Sequence, residues 1–283
     1  MQRVKLVALI FTWAVFFILM VLIHLGVSLF RLPGRWRIVS KVSRCLVAML
    51  RTILNLKVTI EGDGDLAANG GYVIVSNHMG YLDGIVLGSV FPLLYVSKKE
   101  VRHWPVIGAW TALCGTIFID RERKDQVPLL VEEIAQKLKQ KANVLIFPEG
   151  TSTNGETLLP FQSAPFAAPL RVGAPILPIS LTYTRIDHES VSPSNRDMVY
   201  WYGDMEFASH FWKLLALRNI EVVVKIRPEI ETSGYKNSSL SRKQLSQACY
   251  DTVLRGLNLP DHSASPPARD SGASSLRPRS AAS

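Results

Sequence analysis

The stretch from Leu6 to Phe30 contains no Asp, Glu, Lys or Arg, and it constrains the fold more than any other part of the chain. As an α-helix it would be about 38 Å long. That length crosses a hydrocarbon core about 30 Å thick with some tilt. A cleaved secretory signal has an apolar core of only about 7–15 residues that ends at small residues, whereas this run is longer and ends in a basic segment around Pro33. The sequence therefore predicts a membrane anchor over residues 1–34, either a transmembrane helix or a re-entrant hairpin that stays in one leaflet.

The composition also points to a membrane. The chain is 48% hydrophobic, its mean hydropathy is +0.16 and its formal net charge is +9. A basic and apolar chain favours an anionic phospholipid surface over nucleic acid, and the sequence contains no pattern of a nucleic-acid-binding module. More basic residues follow the apolar stretch than precede it, which places the remaining chain on the cytoplasmic face.

The cysteines indicate a reducing compartment. Cys45, Cys114 and Cys249 are scattered along the chain and odd in number. They form neither a C-x-x-C pair nor a Cys/His cluster, so the sequence supports no disulfide framework and no zinc site. We therefore expect no metal and no bound cofactor.

A basic amphipathic helix is predicted over residues 35–57. Apolar residues recur there every three or four positions, and the basic residues lie on the opposite side. The apolar stripe consists of Val39, Val42, Leu46, Met49, Ile53 and Leu56. Such a helix lies in the membrane interface with its apolar face among the acyl chains. The alternative is that the stripe packs on the protein's own core.

Residues 58–260 alternate apolar strand patterns with helical patterns, and this alternation predicts an α/β domain with a mixed, largely parallel sheet flanked by helices. Strands are predicted near 72–75, 93–96, 117–119, 143–147, 176–183 and 220–226. Helices are predicted near 83–90, 105–113, 125–141, 163–172, 207–217 and 239–257. Residues 261–283 are rich in Ser, Ala, Pro, Arg and Gly without apolar periodicity, which predicts a disordered tail.

His78 and Asp83 are the candidate catalytic pair. His78 lies in a polar turn between an apolar strand and a helix, a position where catalytic groups are often found. Asp83 falls in the first turn of that helix, where the helix N-terminus favours a carboxylate and the side chain can curl back toward the imidazole. A carboxylate on one ring nitrogen fixes the tautomer and leaves the other nitrogen as a general base. By themselves, the two residues also fit an ordinary turn histidine and a helix-start residue.

Four sequence blocks carry a resemblance to a known family. They are Asn77-His78-Met79-Gly80-Tyr81-Leu82-Asp83, Gly115-Thr116-Ile117-Phe118-Ile119-Asp120-Arg121, Phe147-Pro148-Glu149-Gly150-Thr151 and Ala174-Pro175-Ile176-Leu177-Pro178-Ile179. In this order they resemble the motifs of the PlsC-type glycerolipid acyltransferases, over roughly residues 58–230. The resemblance implies a membrane-bound enzyme that moves a fatty acyl group from an acyl-CoA or acyl carrier protein thioester to the free hydroxyl of a lysophospholipid.

The resemblance also implies residue roles. His78 would act as the general base and Asp83 would orient it, while Asn77 or the backbone N–H groups around 77–80 would support the turn or the oxyanion. Arg121 and the third block would bind the acceptor, with Glu149 bonding either backbone or acceptor groups. The predicted acceptor residues are Arg121, Phe147, Pro148, Glu149, Gly150, Thr151 and Ser152.

A basic cluster lies one strand after the histidine turn. Lys98, Lys99 and Arg102 are predicted to bind the donor, through the phosphates of coenzyme A or the acidic face of acyl carrier protein. The alternative is an ordinary solvated group of charges.

Ser152 departs from the family pattern. In relatives that use lysophosphatidic acid, an arginine commonly follows the Glu-Gly-Thr triplet, and a hydrogen bond to a charged group contributes about 1.5–3 kcal/mol. The main expectation is a 1-acylglycerol-3-phosphate O-acyltransferase-like enzyme that forms phosphatidic acid. The serine opens the alternative of lyso-ornithine lipid or another zwitterionic lysolipid as acceptor. Hydrolysis of a lipid or thioester by the same His–Asp pair is a further alternative.

Overall fold

One sheet of eight strands organises the chain in the computed structural model, which describes residues 1–104, 107–120 and 123–257. The strands are β1 (Leu56–Glu61), β2 (Val73–Ser76), β3 (Leu93–Lys98), β4 (Ile117–Ile119), β5 (Asn143–Ile146), β6 (Ile176–Ile186), β7 (Glu189–Ser190) and β8 (Ile220–Ile226). The longer helices are α1 (Gln2–Leu29), α2 (Arg35–Ile53), α3 (Tyr81–Val90), α4 (Ile107–Leu113), α5 (Val127–Lys139), α6 (Ala167–Val172), α7 (Phe207–Ala216) and α8 (Ser239–Leu257).

The strand order is β1-β8-β6-β2-β5-β3-β4, with β7 paired to β6. The run from β6 to β4 is parallel, β1 and β8 are parallel to each other, and β6 meets β8 in the antiparallel sense. This confirms the predicted mixed, largely parallel sheet flanked by helices. Parallel strands end at the same edge of a sheet, and ligands bind in the crevice outside that edge. Asn77, Lys98, Asp120 and Phe147 all lie at or just beyond this edge.

Helices cover both faces of the sheet, because alternate residues of its central strands belong to different apolar clusters. In β2, Ile74 packs with Leu82 and Val86 of α3. Its neighbours Val73 and Val75 pack instead with residues of α5, α6 and α8. A strand buried on both faces has a continuous apolar sequence, and such a run predicts the strand at 72–75.

The sequence does not predict β1, the strand at one edge of the sheet. The apolar stripe suggested that a helix runs to Leu56, but α2 ends at Ile53 and the chain turns through Asn55, at φ 57°, into β1. β1 pairs with β8 along its whole length. Distant strand pairing therefore overrides the local helical pattern, since β1 has few buried positions of its own.

The predicted tail over 261–283 lies outside the described residues.

α1 packs along the domain on one narrow stripe. Its buried residues are Lys5, Thr12, Met20 and Val27, which recur at intervals of seven or eight and so share one face. The other faces carry exposed apolar side chains, such as Phe11 at 70% and Leu22 at 59%. Within the described part of the chain, α1 is the one helix long and apolar enough to cross a membrane, judged by length and composition.

Both ends of α1 are bonded to the domain. The Nζ of Lys5 donates to the carbonyl of Leu217, 2.6 Å away, just after α7. Toward the other end, the Nε2 of His24 lies 2.7 Å from the carbonyl oxygen of Leu113 at the end of α4. The helix therefore runs alongside the domain and does not project from it.

The apolar stripe of α2 packs on the protein. Val39 and Leu46 are 0% and 1% exposed, and α2 packs against α1, α3 and β3. The expectation that this stripe lies among acyl chains is therefore wrong for its inner members, and the alternative of packing on the protein's own core holds for them. Met49, at 45% exposure, faces outward.

The docking of α1 predicts a difference between its two faces. Met20→Ala should lower the free energy of unfolding by about 2–5 kcal/mol, since it removes a buried side chain from the contact with α2 and α4. Leu22→Ala, on the exposed face, should change it by less than about 0.5 kcal/mol. Denaturant unfolding of both variants in the same neutral detergent measures the contrast. Equal effects would mean that α1 does not pack on the domain.

Candidate active site

The imidazole of His78 and the carboxylate of Asp83 are in direct contact. The Nδ1 of His78 lies 2.8 Å from the Oδ2 of Asp83, with Asp83 fully buried and 20% of the His78 side chain exposed. An ionised carboxylate only accepts hydrogen bonds, so Nδ1 carries the proton and Nε2 presents its lone pair on the opposite side of the ring. This is the arrangement that the sequence predicts.

Asp83 is held by donors from the turn and from a distant strand. Its Oδ2 accepts from the backbone N–H groups of Met79 at 2.6 Å and Gly80 at 2.9 Å. Its Oδ1 accepts from the hydroxyl of Tyr183 at 2.9 Å. These bonds, together with the N-terminus of α3, offset the cost of burying the carboxylate.

Gly80 allows the turn to press against the segment after Tyr200. A Cβ at Gly80 would lie 2.8 Å from the backbone nitrogen of Trp201, closer than such atoms approach. The N–H of Trp201 donates to the carbonyl of Met79 at 2.9 Å. The catalytic turn is thus fixed from both sides.

Glu149 acts on the same turn from the end of β5. Its Oε1 accepts from the N–H of His78 at 2.7 Å, and its Oε2 accepts from the N–H of Leu159 at 2.9 Å. Of the two roles expected for Glu149, the geometry favours bonding to backbone over bonding to the acceptor. Burial, opposed by these two hydrogen bonds, raises the pKa of Glu149 to about 7. Glu149 is therefore a positioning residue for His78.

The rest of the third block lies beside the imidazole. The ring of Phe147 stacks on that of His78, with centroids 4.0 Å apart and planes 11° apart. The N–H of Thr153 donates to the carbonyl of His78 at 2.9 Å. Between these two anchors run Pro148, Gly150, Thr151 and Ser152, of which Thr151 is exposed and Ser152 half-buried. The predicted acceptor loop is thus next to the base.

The side chain of Asn77 supports the turn by bonding the neighbouring strand β6. Its Nδ2 donates to the carbonyl of Leu181 and its Oδ1 accepts from the N–H of the same residue, at 2.9 and 2.8 Å. The N–H groups of residues 78–80 donate to Glu149 and Asp83. Of the two roles expected for Asn77, the geometry favours turn support over oxyanion binding, because its side chain and the N–H groups of residues 78–80 already have partners.

The basic cluster borders the site from the end of β3. The Nζ of Lys98 lies 5.9 Å from the ring centroid of Trp201, whose backbone contacts the catalytic turn. Lys99 forms an ion pair with Asp120. Arg102 lies over the ring of Phe118 at 5.8 Å. A donor role for the three residues stays a prediction, as does the role of Arg121, which lies outside the described residues.

Sequence reasoning missed Tyr183. It lies on β6, one hundred residues from the carboxylate that it bonds, and its signal was only a polar-tipped aromatic residue in an apolar run. Burial first, and then the charge of Asp83, raises the pKa of Tyr183 well above its usual value. The hydroxyl therefore stays a donor to Asp83.

Across residues 1–104, 107–120 and 123–257, no group of three or more His, Cys, Asp or Glu is placed to hold a metal ion.

Comparisons with known proteins identify the family. Residues 57–182 match the sequence model of the family described as Acyltransferase. The chain is 32% identical over 215 residues to the lyso-ornithine lipid O-acyltransferase of Pseudomonas aeruginosa, an alignment that covers 75% of this chain and 80% of the relative. It is 27% identical over 155 residues to the 1-acyl-sn-glycerol-3-phosphate acyltransferase of Neisseria gonorrhoeae, covering 54% of this chain and 58% of the relative.

A solved structure shares the fold. The crystal structure of the 1-acyl-sn-glycerophosphate acyltransferase PlsC from Thermotoga maritima superposes with a TM-score of 0.57 at 20% identity, covering 91% of this chain and 96% of that one. The chain belongs to the PlsC-type acyltransferase family. It is an O-acyltransferase, and its N-terminal helix α1 is long and apolar enough to cross a membrane, judged by length and composition.

Removing the Tyr183 hydroxyl should slow catalysis without unfolding the protein. Tyr183→Phe deletes one donor to Asp83, and we expect kcat to fall about tenfold with an unchanged KM, because the loss acts on the base and not on substrate binding. Tyr200→Phe is the matched control, since its ring lies 5.6 Å from that of Tyr183. Steady-state kinetics of both variants make the comparison. Equal kcat in the two variants would exclude a positioning role for Tyr183.

The buried Glu149 predicts a pH-dependent stability. Its pKa is 4.5 when exposed and about 7 in the fold, so the folded state prefers the protonated form. The stabilisation from the neutral acid is complete below about pH 4.5 and is lost as the pH rises through 7. Relative to Glu149→Gln, the wild type should lose up to about 3 kcal/mol between pH 4.5 and 7.5. Denaturant unfolding at both pH values tests this, with Glu100→Gln as an exposed control; a pH-independent difference would contradict it.

Proposed function

We propose that the enzyme transfers a fatty acyl group from acyl-CoA or acyl carrier protein to the free hydroxyl of lyso-ornithine lipid or a related zwitterionic lysolipid. The observation that carries the reaction is the 2.8 Å contact between His78 and the buried Asp83, which leaves Nε2 as the general base. The family membership supports acyl transfer over the hydrolysis that the same pair could perform.

The chain's own residues account for the proton movements. Nε2 of His78 takes the proton of the acceptor hydroxyl as its oxygen attacks the thioester carbonyl. Asp83 stabilises the imidazolium that forms. When the carbon–sulfur bond breaks, the departing thiolate receives that proton, so the ester and the free thiol are the products and the enzyme returns to its starting state.

The acceptor proposal rests on Ser152. The serine stands one residue before Thr153, whose N–H bonds the carbonyl of His78, so it lies close to the reacting hydroxyl. An arginine here would add a cation for a phosphate monoester, and the serine does not. The relative named as a lyso-ornithine lipid O-acyltransferase also matches a larger share of the chain than the relative named for 1-acylglycerol-3-phosphate.

Lysophosphatidic acid is the second candidate acceptor. The observation in its favour is the basic cluster at the same sheet edge, where Lys98 approaches Trp201 beside the catalytic turn. Cations at this edge suit a phosphate group. The basic cluster alone does not decide between the two acceptors. The third block decides, because Ser152 there favours a zwitterionic head group.

The position of α1 supports a membrane arrangement in which the helix stays with the domain. Lys5 and His24, near opposite ends of α1, both bond carbonyls of the domain. A helix that crossed the bilayer away from the domain could not keep both contacts. We infer that α1 lies within one leaflet, so that both of its ends and the domain share one face of the membrane, and we propose that this is the cytoplasmic face.

An acceptor panel tests the proposed reaction. The purified protein is incubated with one labelled acyl donor, as acyl-CoA or as acyl carrier protein thioester, and with lyso-ornithine lipid, lysophosphatidic acid or lysophosphatidylcholine. We expect ester formation that is fastest with lyso-ornithine lipid, and a loss of about 100-fold to 10,000-fold in His78→Ala. Thiol release that is equally fast without any acceptor would indicate hydrolysis, and normal transfer by His78→Ala would contradict the mechanism.

Restoring the cation should change acceptor preference. Ser152→Arg should raise kcat/KM for lysophosphatidic acid relative to lyso-ornithine lipid by about tenfold, the equivalent of about 1.5 kcal/mol of charged hydrogen bonding. Ser233→Arg, at an exposed position before α8, adds the same charge elsewhere and should leave the ratio unchanged. An unchanged ratio in Ser152→Arg would show that this position does not meet the head group.

A further inference from the structure

A basic groove lies between the start of α2 and the end of α5, outside the active site. It is open to solvent and has a volume of about 510 Å³. Its lining contains four cationic side chains: Arg37, Lys41, Lys139 and Lys141. We call this feature the α2–α5 groove.

The α2–α5 groove lies at the opposite sheet edge from His78. Lys141 precedes Asn143, the first residue of β5. His78 follows the last residue of β2, which is parallel to β5. The start of one parallel strand and the end of its neighbour lie at opposite edges, so a ligand in the groove does not contact the general base.

The charge of the groove is not balanced by its lining. Among the described residues, none of those that line it is acidic. Arg37 and Lys41 are four residues apart on α2 and therefore share a face. α2 is 19 residues long, and its N-terminus at Gly34 adds the positive end of a helix dipole. Four cations gathered without a carboxylate repel one another, and a bound anion relieves that repulsion.

The groove opens where the apolar anchor ends. Pro33 and Gly34, which also line it, join α1 to α2. Just before them, Leu29 and Phe30 are 77% and 71% exposed, and such apolar side chains belong among acyl chains. A groove beside the end of an apolar anchor is within reach of lipid head groups, which makes the membrane a nearby source of phosphate.

We propose that the α2–α5 groove binds the phosphate of an anionic phospholipid. Arg37 and Lys41 hold the phosphate from α2, while Lys139 and Lys141 hold it from α5. The site orients the domain on the bilayer and prefers a net-negative head group, such as phosphatidylglycerol, over phosphatidylcholine. It takes part in neither the donor nor the acceptor site.

Native mass spectrometry of the full-length protein in neutral detergent tests the proposal. Equal concentrations of phosphatidylglycerol and phosphatidylcholine are added, and the retained lipid is counted for each protein. The test variant is Lys139→Gln/Lys141→Gln. The charge-matched control is Lys236→Gln/Lys243→Gln, two exposed lysines that lie just before α8 and in its first turns. Lys139→Arg/Lys141→Arg keeps the charge, and an inorganic phosphate arm distinguishes a soluble anion from a lipid.

The wild type, the control and the arginine variant should retain phosphatidylglycerol at least tenfold better than phosphatidylcholine. The test variant should lose most of that preference, while its acyl transfer in detergent stays within twofold of the wild type. Equal retention of the two lipids by the wild type would overturn the proposal, as would undiminished preference in the test variant. Displacement of the lipid by equimolar inorganic phosphate would overturn the lipid as the source of the anion.

Discussion

The buried carboxylate of Asp83 is the interaction on which the site depends. It caps the first turn of α3, receives two N–H groups of the catalytic turn, and bonds both the imidazole of His78 and the hydroxyl of Tyr183. Such a charge is costly to bury unless donors surround it. The same four bonds that offset that cost also fix the turn, the tautomer of the histidine and the contact with β6. The conformation of the catalytic turn and the tautomer of its base therefore both depend on the Asp83 side chain.

A second carboxylate supports the first from the neighbouring strand. Glu149 holds the backbone of His78 while Asp83 holds its ring, so the base is fixed at two points by residues from β5 and α3. The parallel pairing of β2 with β5 makes this possible, because both strands deliver their following turns to the same edge. Phe147 then stacks on one face of the imidazole. Residues of the third block thus position the base.

What could be predicted from the sequence was local, and what could not was distant. The alternation of strands and helices depends on residues that are close in sequence, and so does the five-residue spacing of His78 and Asp83. The contact of Tyr183 with Asp83 spans one hundred residues, and only the pairing of β6 with β2 creates it. β1 also depends on a distant partner, since it pairs with β8, and the apolar stripe of α2 predicted a helix where β1 begins. The exposed faces of α1 are as apolar as its buried Met20 and Val27, so hydropathy alone could not reveal that the anchor packs on the domain.

The tautomer of His78 is the most direct test of the central claim. Nitrogen-15 NMR of the full-length enzyme, labelled at histidine and held in detergent, reports which ring nitrogen carries the proton in the neutral imidazole. The His78 signals are assigned by their absence in His78→Ala. The account predicts a protonated Nδ1, bonded to Asp83, and an unprotonated Nε2 ready to act as the base. A proton on Nε2 with a bare Nδ1 would contradict it.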